Sequence, residues 1–155
     1  MPRDILLYEN GSGGEMRIFQ NDLATTNSLS QSVYLALFGG NVEANTRGDE
    51  LQEELRDDYF GNIFLPKNEQ FNSNTERVLS NTALDTKGLI KIEEAVKSDL
   101  SFLKDKYSFE IILSLPKIDA LKIEIRVSLK NTKEQSFFSM LYNKLKSELV
   151  VEQSI

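Results

Sequence analysis

The sequence has no histidine, no cysteine and no tryptophan, and only 3 prolines and 3 methionines in 155 residues. Without cysteine there is no disulfide framework, thiolate nucleophile, iron–sulfur site or cysteine-type zinc site. Without histidine there is no Ser-His-Asp triad, no imidazole base and no histidine-type metal site. Any chemistry would have to come from carboxylates, lysine, tyrosine or hydroxyl groups. Long apolar runs are missing too. No stretch approaches the roughly 20 apolar residues that span a bilayer. The run Ile5 to Tyr8 after Met1-Pro2-Arg3-Asp4 is shorter than a signal-peptide core of about 7–15 residues. The expectation is a chain made in the cytoplasm and not held in a membrane. Asn10-Gly11-Ser12 then reads as a turn, not as a glycosylation site.

What is present fits one soluble domain over residues 1–155: 40% of the residues are hydrophobic and 27% charged. The 18 basic and 24 acidic residues give a net charge of −6, which disfavours general nucleic-acid binding. That charge is unevenly spread. Glu43 to Asp58 holds seven acids and two bases, whereas Pro116 to Lys146 holds seven bases and three acids. Such runs are often no more than solvated surface. The alternative is head-to-tail docking, in which opposite patches on neighbouring subunits steer association.

Periodicity gives the order of elements. Ile5 to Tyr8 and Met16 to Phe19 are short strand-like runs around a glycine-rich loop, as in a hairpin. Ser28 and Gln31 form a capping-box signature. Leu29, Val33, Ala36 and Leu37 follow at helical spacing, and Gly39-Gly40 stands where a left-handed cap would end the helix. Asn41 to Asn81 is polar and acidic, with a short helix expected over Asp49 to Asp58 and an apolar cluster, Tyr59 to Leu65, to anchor the loop. Leu89, Ile92, Val96, Leu100 and Leu103 make one helical stripe opened by Asp85 or Thr86. Tyr107 to Leu115 and Leu121 to Lys130 alternate as two strands with one buried face. Phe138, Leu141, Leu145 and Leu149 point to a terminal amphipathic helix at about 133–150. The expected fold is α+β, with a small antiparallel sheet made of an N-terminal and a C-terminal hairpin, packed with two to three helices and a long polar loop.

No chemical motif rises above background. Gly11-Ser12-Gly13-Gly14 lacks the Lys-Ser/Thr and the helix of a phosphate loop. Ser-x-x-Lys occurs at Ser101 and Ser114, but 15 serines and 12 lysines make a match or two expected by chance. The partner motifs Ser-Asp-Asn and Lys-Thr-Gly are absent. Glu50, Glu53, Glu54, Asp57 and Asp58 could supply a glycosidase-like carboxylate pair. They sit in a hydrophilic run with Arg47 and Arg56, which suits a solvated face better than a cleft. The loop spacing of an EF-hand is missing. No catalytic, cofactor-binding or metal-binding residue is expected, and the chain does not read as an enzyme.

Several segments taken in order carry a resemblance. Asp22-Leu23-Ala24-Thr25-Thr26 precedes a helix, Ser28 to Gly39, that contains Leu37-Phe38. Tyr59-Phe60-Gly61-Asn62 follows, then Asn72-Ser73-Asn74 to Leu79, the long helix from Thr86 and two alternating strands. Over roughly residues 15–130 this order resembles the baseplate wedge proteins of Mu-like contractile-tailed phages, related to the lysozyme-like wedge and sheath-initiator proteins. The resemblance implies a structural subunit of a phage or prophage tail baseplate near the first sheath ring. Such a subunit would be hetero-oligomeric with other baseplate and tail proteins in the virion, after synthesis in the host cytoplasm. Tyr59, Phe60 and Gly61 are the positions the resemblance carries over as an interface, as against simple anchoring of the loop; Glu76 and Arg77 are candidates for an internal or intersubunit ion pair. The chain departs from the wider family at Lys104-Asp105-Lys106-Tyr107, where Glu-Pro-Arg is common, and the helix expected from Lys133 lies outside the match. The alternatives are a carboxylate-dependent hydrolase of cell-wall glycan and a binding module of unknown partner.

Overall fold

A computed structural model describes residues 3–9, 14–39, 60–66, 70–71, 73–130 and 135–154. It is an α+β structure, and the chain divides into two compact units. One comprises Met1–Ser32 and Lys106–Ile155, the other Val33–Asp105.

The first unit is built from strands. Its main sheet has four antiparallel strands, β7 (Tyr107–Lys117), β8 (Ala120–Leu129), β9 (Gln135–Asn143) and β10 (Glu148–Ser154), in the order β10-β9-β8-β7. The alternation expected for β7 and β8 is what pairs them, with Ile123 opposite Leu113 and Ile125 opposite Ile111. Leu121, Ile123, Ile125 and Val127 are buried on one face, beside Phe138, Met140 and Tyr142 of β9. The opposite face carries Arg126 paired with Glu110 and Lys122 paired with Glu124.

The expected C-terminal helix is not formed; β9 and β10 occupy its place. The i, i+3, i+4 spacing of Phe138, Leu141, Leu145 and Leu149 is real, but the apolar side chains buried in β9 are Phe138, Met140 and Tyr142, at a period of two. Leu141 and Leu145 are exposed. Pairing decides the matter: β8 is already matched to β7 along one edge, and β9 satisfies the hydrogen-bonding groups of its other edge. Phe137, Phe138 and Tyr142 suit a strand as well as a helix.

A hairpin forms at the N-terminus, β2 (Leu7–Glu9) against β3 (Gly14–Met16), but it is shorter than the expected pairing of Ile5–Tyr8 with Met16–Phe19 and is a sheet of its own, not part of the four-stranded sheet. It is one arm of a three-armed junction. β1 (Arg3–Ile5) pairs with β6 (Thr25–Asn27), and β4 (Ile18–Phe19) pairs with β5 (Asp22–Leu23). The arms meet in a closed ring of backbone bonds. Leu6 N donates to Ala24 O at 2.8 Å, Ala24 N to Arg17 O at 2.7 Å, and Arg17 N to Leu6 O at 3.3 Å. Each residue at the branch point donates once and accepts once, so the junction leaves none of these six groups unpaired. Between β4 and β5, Gln20 and Asn21 both have positive φ, as a two-residue hairpin turn of the primed type requires.

Helix α1 (Ser28–Phe38) opens where expected, and the boundary between the units falls inside it. Gln31 does more than a capping residue would: it is buried, and its Oε1 accepts from Leu7 N at 3.0 Å. The helix ends at Gly39, though not through a left-handed cap there, because the φ of Gly39 lies outside that range. Glycine is needed for space, since a Cβ would stand 2.5 Å from Leu35 O.

The second unit is helical. It contains the end of α1, a 3-10 turn at Phe60–Phe64, α2 (Asn74–Asn81), α3 (Thr86–Asp99) and a 3-10 turn at Ser101–Leu103. Asp85 caps α3, its Oδ1 accepting from Gly88 N at 2.7 Å. Gly88 itself admits no side chain, as a Cβ would fall 1.8 Å from Ala83 O. Ile92, Val96, Leu100 and Leu103 of the predicted stripe are buried. Leu79 of α2 is buried as well, and Phe71 meets Phe102 edge-on at 5.2 Å.

Candidate functional site

The candidate positions that the structure describes all lie in the helical unit. Tyr59 and the acidic helix expected over Asp49 to Asp58 fall outside the described residues. Phe60 and Gly61 open the 3-10 turn, while Glu76 and Arg77 lie in the first turns of α2.

The residue that organises the 3-10 turn is Asn62. It is 6% exposed, and its amide is used at both ends: Nδ2 donates to Phe71 O at 2.7 Å, and Oδ1 accepts from Phe71 N at 2.9 Å. This is the paired contact one strand makes with another, supplied here by a side chain. Gln70 adds Nε2 bonds to Asn62 O at 3.0 Å and Leu65 O at 3.3 Å. The turn is thus pinned to the chain beyond it by polar groups.

That arrangement reverses the expected part of two residues. Ile63 and Phe64 were expected to help anchor the loop, yet they are 76% and 81% exposed. In a 3-10 helix, residues three apart share a side. Asn62 is buried and Leu65, just past the turn, is half-buried, while Ile63 and Phe64 between them are turned out. The anchor is the asparagine and the apolar pair is displayed. Asparagine in the aromatic–aromatic–Gly–Asn quartet was the available signal, since a buried amide must find partners.

The start of α2 is held by a carboxylate from α3. Asp99, 2% exposed, accepts through Oδ2 from Thr75 N at 2.7 Å and from Thr75 Oγ1 at 2.6 Å. Ser73, whose φ is positive, caps α2 without a side-chain bond, so Asp99 serves as the cap from outside. A negative charge suits the N-terminus of α2 but not the C-terminal end of α3 that bears it. Burial is the largest influence on Asp99 and pushes its pKa up, opposed by the hydroxyl and backbone bonds from Thr75, the Asn74 amide and the Arg77 charge. Asp99 Oδ1 is buried with no hydrogen-bond partner. Ser73 also ties this segment to α1, its N and Oγ donating to Ala36 O and Leu35 O.

Arg77 is exposed and donates to Asn74 Oδ1 at 2.7 Å; Glu76 is half-buried. Consecutive helical residues point about 100° apart. Arg77 lines an open groove of about 640 Å³ between α2 and α3, with Asn74, Asn81, Lys91, Glu94 and Ser98 among its other walls. Mixed charge and amides there suit polar contact with a macromolecule better than enclosure of a small molecule. Among the described residues no group of three or more acids is placed to hold a metal ion.

Comparison with known proteins finds no matching family model, no matching curated protein and no matching solved structure.

Proposed function

We propose that the chain is a structural subunit of a phage or prophage contractile-tail baseplate, assembling with other wedge proteins near the first sheath ring. In this reading it works in the virion, needs no catalytic group or cofactor, and is hetero-oligomeric when assembled. The ordered resemblance of the sequence motivates the reading. The observation that carries it is the pinned display of Ile63 and Phe64 beside Phe60 and Gly61. An exposed aromatic on a backbone that is already pinned spares binding the cost of ordering that backbone, and a few large apolar anchors carry much of an interface's energy.

Co-expression with neighbouring genes, followed by size-exclusion chromatography, tests this. The wild-type chain should elute in a complex with proteins encoded beside it. A monomer that never enters a larger species would overturn the assembly role. Glycan hydrolysis that disappears on changing Glu50, Glu53, Glu54, Asp57 or Asp58 singly to Ala would replace it with the hydrolase reading.

A further inference from the structure

The four-stranded sheet has two edges, and they are finished differently. At one edge β10 lies against β2. At the other, β7 ends the sheet, and among the described residues nothing pairs with its far side. Edge strands are ordinarily guarded by proline, by charge or by a bulge. In β7 these guards are gathered at one end, as Pro116, Lys117 and the register break after Ser114. The regular stretch 107–114 holds one charge, Glu110, and Arg126 already pairs with it at 3.2 Å.

The ladder fixes which groups that edge offers. Lys130 N donates to Lys106 O at 3.1 Å, one step before Tyr107 stands opposite Leu129. Hydrogen-bonded positions alternate along an antiparallel pair. Ser108, Glu110, Ile112 and Ser114 therefore turn their N–H and C=O groups to β8, while Phe109, Ile111 and Leu113 turn theirs outward. The side chains of those three are only half-buried, although Val127, Ile125 and Ile123 opposite them in β8 are buried.

We infer that the open edge of β7 pairs antiparallel with β7 of a second copy, about a two-fold axis at Ile111 perpendicular to the sheet. The inference does not rest on the proposed baseplate role. A row of outward N–H and C=O groups is complemented by another strand, and β7 is its own complement. A two-fold of this kind sets each side chain beside one from the same face, so the apolar faces of the two copies run on into each other. Charge selects the register. Centring on Glu110 would oppose two carboxylates. Centring on Ile111 sets Phe109 opposite Leu113, Ser108 opposite Ser114 and Glu110 opposite Ile112, with no like charges opposed. Positions 109, 111 and 113 of the two copies then exchange about six backbone hydrogen bonds. The pairing is isologous: it uses up the edge in both copies and closes at two.

Sedimentation velocity on the purified chain over a range of concentrations tests this. The wild type should be a concentration-dependent dimer. Leu113→Pro removes an outward N–H and none that β8 uses, so it should weaken the dimer at least about tenfold while circular dichroism keeps the wild-type signal. Cross-linking reports the register, and decides the matter if the proline variant fails to fold. The chain has no cysteine, so an introduced thiol stands alone. On oxidation Ile111→Cys should form a covalent dimer with itself, because opposite Cα atoms would stand about 5.5 Å apart. Phe109→Cys and Leu113→Cys should cross-link to each other when mixed, and poorly when alone. A chain that stays monomeric at every concentration would overturn the inference, including one whose amides at 109, 111 and 113 become protected from exchange only when a different protein binds. So would a dimer that a folded Leu113→Pro leaves intact, or one in which Ile111→Cys does not cross-link.

Discussion

Asn62 and Asn143 hold two turns that display large apolar side chains, one in each unit, and they do it by different means. Asn62 is buried and bonds both backbone groups of Phe71, nine residues away. Asn143 accepts only from the two amides that follow it at positions 145 and 146. The first turn is fixed by its surroundings, and the second by its own sequence. Burial sets the difference in energy. An amide in the interior has no water to fall back on when its partner is lost, whereas the groups freed at an exposed turn are solvated at once.

The same contrast ranks the expected effects of mutation, with the polar contact between Thr75 and Asp99 as the extreme case. Asp99→Ala leaves a buried N–H and a buried hydroxyl without acceptors, and should destabilise the chain by about 2–4 kcal/mol in urea unfolding. Asp99→Asn keeps an acceptor for both and removes the charge. Because the folded pKa of Asp99 is raised, the stability it contributes is fully present below the ordinary carboxyl value and lost as pH rises through the folded value. Relative to wild type, Asp99→Asn should therefore gain stability as pH rises from about 4 towards neutrality. Parallel curves for the two proteins across that range would contradict the assignment.

Asn62→Ala should follow, with a loss of about 2 kcal/mol, since the Phe71 N–H and carbonyl are both left inside. Asn143→Ala should cost about 0.5 kcal/mol. Equal losses at the two asparagines would break the comparison, and a larger loss at Asn143 would invert it. The smallest effect on stability belongs to the displayed residues themselves: Phe64→Ser should leave the melting temperature unchanged, because the ring is already in water.

How far the fold could be read beforehand follows the same division between local and distant causes. The α3 cap at Asp85, its apolar stripe and the alternation of β7 and β8 were legible because each is written in contiguous residues. The segment from Gln135 was misread because its leucines satisfy a helical period while its buried partners satisfy a strand period. Only the open edge of β8 decides between them. The three-armed junction at Leu6, Arg17 and Ala24 depends on residues brought together from three short runs, none long enough to declare its pairing. At the candidate site the aromatic–Gly–Asn segment was noticed, but the parts were reversed. The apolar residues were read as a loop anchor or an interface and the asparagine was given no part of its own, whereas hydrogen bonding across nine residues makes it the fixed point. The contact between Thr75 and Asp99 left no local trace, since its partners lie 24 residues apart.

The central claim is that the turn at Phe60–Phe64 exists to present Ile63 and Phe64 to a partner. It is tested most directly by co-expressing the chain with its neighbouring genes, as wild type and as the double variant Ile63→Ser, Phe64→Ser, and comparing what co-purifies. The expected result is a complex with the wild type and a folded, uncomplexed chain with the variant, at the same melting temperature. Equal recovery of partners by both proteins would contradict the claim.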